Sequence, residues 1–164
     1  MNGEKAFRWC LEKGTGEARK HRGLRRTHPD REKAQKHGRK ALHNLKAVDH
    51  NLKGGFPDWA VSAAFYAMYR SLLSILAAVG YESRNQECTI TAVAYLAKVR
   101  QLDFDLNYIA MIRRAEELKF GDAKTLREEF QYGTEVEKEI LDSLHKNAKS
   151  FVEAAEILVE KLLP

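Results

Sequence analysis

Basic side chains crowd one stretch of this sequence. Between residues 19 and 40 stand ten of them (Arg19, Lys20, Arg22, Arg25, Arg26, Arg31, Lys33, Lys36, Arg39 and Lys40), against two acids, Asp30 and Glu32. The imbalance extends over residues 1–56, which carry a net charge of +9, while 57–164 carry −4. Such a division points to a polyanion or an acidic protein surface as partner, or to a solvated arm. Arg22, Arg25 and Arg26 are the cations of that arm assigned to binding.

A second candidate is Arg70, at the centre of an oily run from Trp59 to Val79 with Tyr66 one helical turn before it. A charge there must be paired or face a cleft. The expected partner is a carboxylate of the last helix; the alternative is that Arg70 and Tyr66 line a groove. Arg84, Asn85 and Glu87 open a further helix, whose free backbone donors suit either an anion or ordinary capping. His21, His28, His37, His43 and His50 cluster early. By number alone they suggest zinc, yet no Cys or carboxylate spacing completes a ligand set and no HExxH occurs, so no metal site is assigned. Walker-type loops, GxGxxG and a favourable Ser-His-Asp order are likewise missing, and no cofactor is expected. Cys10 and Cys88 match no zinc, haem or redox spacing. They are read as inert thiols of a reduced, cytoplasmic chain.

The elements that must hold these residues are helical. With 164 residues, 44% apolar and 31% charged, the chain suits one domain with its own core and excludes collagen-like and largely disordered classes. The first ten residues lack the apolar core of a signal peptide. The run Trp59–Val79 is long enough to span a bilayer, but a central Arg costs at least about 2.5–3.5 kcal/mol there, so a buried bundle helix is expected and no membrane. Spacings of three and four join Ala34, His37, Ala41, Leu45, Val48 and Leu52 in a helix from about Pro29 to Leu52, opened by Pro29 and stopped by Gly54-Gly55. The second helix runs from Pro57 to Val79. A third starts after Ser83, with Ser83 to Gln86 as capping box, and a fourth covers Asn107–Leu118. Thr125–Phe130 reads as another turn or two. Thr134 caps a long amphipathic helix from Val136 to Leu162. Residues 4–12 form a short helix, 14–28 an arm or loop, and no strand is expected. The division is therefore 1–28, short helix and basic arm, and 29–164, an all-α, up-and-down antiparallel bundle of four to five helices. Its second helix is apolar nearly all round, so either the bundle wraps it or a second subunit completes the cover.

In order and spacing these pieces resemble the HEPN domain family over about Asp30–Leu163. The elements are the amphipathic first helix, Gly55-Phe56-Pro57-Asp58-Trp59 with Ala60 to Tyr69, the apolar run closed by Gly80-Tyr81, then Glu82 to Glu87, and an Arg-x4-Tyr element from Arg127 to Tyr132. The resemblance implies an antiparallel all-α bundle forming a homodimer and a toxin-like role beside a minimal nucleotidyltransferase. It also implies an RNA- or nucleotide-associated function. Active members are metal-independent RNases in which an Arg stabilises phosphate charge and a His moves the 2′-hydroxyl proton. It further implies that Arg127, Glu128 and Tyr132 occupy the catalytic positions, at the seam between two copies. Here Tyr132 stands where the His would be, and Tyr titrates near about 10, poorly suited to proton transfer at neutral pH. The expectation is a HEPN protein without the family's usual RNase chemistry. The alternative is a non-catalytic dimeric interaction module whose basic arm docks an acidic partner such as the nucleotidyltransferase.

Overall fold

A computed structural model describes residues 2–15, 22–120 and 135–164. Six helices and two short strands follow in the order α1 (Gly3–Gly14), β1 (Leu24–Arg26), α2 (Arg31–Gly54), α3 (Pro57–Ala78), β2 (Tyr81–Ser83), α4 (Gln86–Val99), α5 (Asn107–Phe120) and α6 (Glu135–Leu162) among the described residues. The fold is all-α in character, as expected. The expected helical turn at 125–130 and the cap at Thr134 lie outside the described residues.

Local chemistry sets the boundaries. Asp30 caps α2 by accepting the Lys33 N–H at 2.9 Å, which leaves Pro29 outside the helix and not in its first turn. Gly55 ends α2 at φ 77°, a left-handed conformation that a residue with a Cβ reaches only under strain. Pro57 fills the first position of α3, where a missing N–H costs nothing. The expected Ser83 box is corrected: Asn85 caps α4, accepting from Cys88 N at 2.9 Å. The Ser83 hydroxyl instead donates to Asn85 O at 3.1 Å and accepts from Thr89 at 2.8 Å.

The core gathers around α3, where fourteen of twenty-two residues are buried. Ala41 meets Ala67, Ser74 Oγ donates to Ala34 O at 2.7 Å, and Asp30 N reaches Ala77 O, so α2 and α3 run antiparallel. On α6, Val152 packs on Ala41 while Val159 and Leu162 pack near Ala34. Phe65, Leu72, Ile75 and Phe151 are wholly enclosed. By length and composition α3 could cross a bilayer, but 72% of its most apolar stretch is buried inside the chain's own fold. The single chain thus wraps this helix, and its oiliness no longer calls for a second subunit. Gln86 donates to Glu116 at 2.7 Å, and both terminal nitrogens of Arg113 meet Glu87 at 2.6 Å, joining α5 to α4.

Two expectations about the N-terminal region are overturned. Residues 24–26 are not loop: β1 pairs antiparallel with β2 in the register Leu24–Ser83, Arg25–Glu82, Arg26–Tyr81. The three residues alternate weakly and are too few for a period of two to register, but Leu24 is fully buried and Arg25 Nε is held by Gly14 O at 2.6 Å. Nor are the cysteines free thiols. Cys10 of α1 and Cys88 of α4 form a disulfide 78 residues apart in sequence, with Cα atoms 5.5 Å apart. Phe7 is buried beside them, stacked on Tyr95 at 4.6 Å and edge-on to Tyr81 at 5.8 Å. Gly14 is required here, because a Cβ would overlap the Leu24 carbonyl. Closing a loop of this length stabilises the fold by about 4.5 kcal/mol in the chain-entropy picture. Reduction, or Cys10→Ser, is expected to lower Tm by roughly 10 °C. A melting curve unmoved by reductant, with both thiols freed by titration, would count against the staple.

Candidate functional site

The close α2–α3 seam leaves no room for a long side chain at its centre, where alanines face each other. The charged residues stand at its edge. There Lys36, His37, Arg39, Lys40 and His43 of α2 and Arg70 of α3 line an open hollow of about 480 Å³. No carboxylate belongs to that lining among the described residues.

Arg70 is half-buried, and its Nη1 lies 3.3 Å from His37 Nδ1. An Arg has no lone pair to offer, so the guanidinium donates and Nδ1 accepts, which places the imidazole proton on Nε2. The expected ion pair with a carboxylate of the last helix is therefore corrected. The partner is a histidine of α2, and Arg70 has no acidic partner among the described residues. His37 titrates at about 4, below its ordinary 6.5, because burial disfavours its charged form and Arg70, Lys33 and Lys36 repel it. Glu82 opposes this, but is itself engaged by Lys33 at 3.2 Å and Arg84 at 3.3 Å. Burial pushes the Glu82 carboxyl up, and those two cations more than reverse it, holding it below the usual carboxylate range.

Tyr66 lies one turn before Arg70 and is exposed, with Lys119 Nζ of α5 3.6 Å from its ring centre. Arg70 and Tyr66 are neighbours on α3, but Tyr66 is not part of the hollow's lining. The other expected binding residues do not join them as one groove. Arg84 turns to Glu82, Arg25 serves the α1–β1 contact, and Arg22 is exposed on the bend before β1. Arg26 lines a separate hollow of about 290 Å³ with Thr27, Gly80 and Arg100. Of the expected arm 19–40, the described residues 22–40 are divided among a bend, a strand, a cap and the first turns of α2. Arg127, Glu128 and Tyr132 lie outside the described residues. Lys36, Arg39 and Lys40 are the functional candidates that sequence reading counts as charge but does not place; their signal is the spacing 36, 39, 40, 43, one side of a helix. No group of three His, Cys, Asp or Glu capable of holding a metal occurs among the described residues.

A helical core with a seam of alanines, the Gly80-Tyr81 corner and a long last helix is the frame in which residues 34–162 match the family model of the HEPN domain. The chain belongs to the HEPN family. No curated protein matches the sequence. The matched span of this HEPN chain contains the entire basic hollow, while α1 and β1 stand outside it.

The His37 environment carries a measurable pH dependence. Above pH 6.5 the imidazole is neutral in the folded and unfolded chain alike, and its contribution to stability is fully present. As pH falls from 6.5 towards about 4, the unfolded chain takes up a proton that the folded chain refuses, so stability drops. Discounted for partial exposure, the wild type should lose about 1–2 kcal/mol more than His37→Gln between pH 7 and pH 5. Denaturant melts of both chains at the two pH values measure the difference, and parallel losses would contradict the assignment.

Proposed function

We propose that this HEPN chain is an RNA-associated protein that holds the phosphate backbone in the hollow between α2 and α3 and does not cleave it by the family's usual chemistry. The observation that carries this reading is a cluster of Lys36, Arg39, Lys40 and Arg70 with no carboxylate in its lining among the described residues. Like charges gathered here repel one another, and a phosphate relieves the repulsion; Arg39 alone also borders the neighbouring hollow lined by Glu156 and Glu160. Arg70 offers the planar fork that suits a phosphate. His37 contacts it without neutralising it, since the imidazole is uncharged at pH 7.

The same pair argues for binding over cleavage. An Arg and a His in contact are the ingredients of phosphate-ester chemistry, but His37 has already committed its lone pair to Arg70. Its titration near 4 leaves it a weak base at neutral pH. The finer reading, a toxin-like partner of a minimal nucleotidyltransferase acting as a homodimer, draws its support from family membership alone.

Equilibrium binding of RNA as a function of salt tests the proposal. Affinity should fall with salt. The double substitution Lys40→Ala with Arg70→Ala should reduce the logarithmic slope by about 1.4, close to 0.7 for each phosphate that is no longer neutralised. Arg22→Ala, away from the hollow, should leave the slope unchanged. RNA that binds no better than a neutral polymer at low salt would remove the reading and leave the basic face to an acidic protein. In the presence of chelator the RNA should stay intact. Cleavage that Arg127→Ala abolishes would overturn the non-catalytic part.

A further inference from the structure

We infer that the hollow continues into a base-stacking platform made by Tyr66 and Trp59, so that this chain takes unpaired strands in preference to duplexes. This rests on the RNA contact proposed above and names the form of RNA. Residues 59, 63, 66 and 70 recur at intervals of four, three and four, which keeps Trp59, Ala63, Tyr66 and Arg70 within one narrow stripe of α3. Most of α3 is buried. On this stripe, however, Trp59 is 65% and Tyr66 43% exposed. Neither ring is enclosed by the core that covers the rest of the helix.

The stripe leads directly into the basic edge. From Trp59 to Arg70 the helix rises about 16 Å, enough to run alongside several nucleotides of an extended strand. Tyr66 stands between them with its ring oriented edge-on to Phe65, centroids 5.5 Å apart, and with Lys119 3.6 Å above it. Lys119 thus caps one face of the Tyr66 ring, so a base stacks on the opposite face. Asp58, in the first turn of α3, is the acid adjoining this end. Rings presented next to a cationic edge stack on exposed base faces and tolerate any sequence. A duplex keeps its bases stacked inside and offers this surface only phosphates and sugars.

Trp9 is the second tryptophan of the chain. Trp9→Phe therefore makes Trp59 a sole fluorescent reporter. Titrated at low salt with a short oligouridylate, this protein should show quenching of Trp59 and bind about tenfold more tightly than to an RNA duplex of equal length. In the full chain, Trp59→Ala and Tyr66→Ala should each weaken single-strand binding by about 5- to 100-fold, with the salt slope and the duplex affinity unchanged. Tyr66→Phe, which retains the ring, should bind as the parent does. Equal affinity for strand and duplex, or alanine variants that weaken both alike, would overturn the platform while leaving the phosphate contact standing. Failure of both RNAs to bind would remove the two readings together.

Discussion

The seam between α2 and α3 is the constraint on which the rest of this molecule depends. It is lined by Ala34, Ala41, Ala67, Ala77 and Ala78, and closed by a serine hydroxyl donating to a backbone carbonyl of the facing helix. Small side chains let the two backbones approach, and close approach excludes water from the apolar faces that α6 then covers. Long polar side chains cannot enter such a seam. They are displaced to its edge, and residues that face each other across it are forced into proximity. Arg70 and His37 meet for that reason, although thirty-three residues separate them.

This explains what sequence can and cannot disclose. Period-3.6 patterns locate α2, α3 and α6 because each buries a continuous stripe or, for α3, nearly its whole surface. The Gly55 stop is legible because only a residue without a Cβ reaches φ 77° cheaply. The strands are not, since three residues cannot display an alternation and their pairing spans almost sixty positions. The disulfide escapes for a related reason: spacing rules describe cysteines close in sequence, whereas Cys10 and Cys88 are brought together by tertiary packing of α1 on α4. At the site, the basic stretch is visible as composition. Its division into a strand, a cap and one helix edge depends on where Asp30 and Leu24 settle. Arg70 stands out in the sequence as a charge needing an explanation. Its partner does not, because a helix pattern says which side a residue occupies and not which neighbour faces it.

The charge division along the chain also acquires a spatial meaning. Three of the N-terminal cations, Lys36, Arg39 and Lys40, line one edge of α2, where the apolar helix it packs on contributes Arg70. Elsewhere several opposite charges are paired. Arg113 bridges Glu87 and Glu116, Lys161 reaches Asp103, and Lys33 with Arg84 shares Glu82. The lining of the hollow at Arg70 holds cations and histidines with no carboxylate among the described residues.

The N-terminal segment has a bearing on where the folding unit begins. The family match opens at residue 34, yet α1 supplies Phe7 to the Tyr81–Tyr95 aromatic group, and β1 is the strand that pairs with β2. A fragment trimmed to the matched span would leave a naked strand edge and two stripped tyrosines, the surfaces through which chains adhere to one another. The autonomous module of this protein is larger than its family signature, and α1 and β1 are masonry where a sequence profile sees only a preamble.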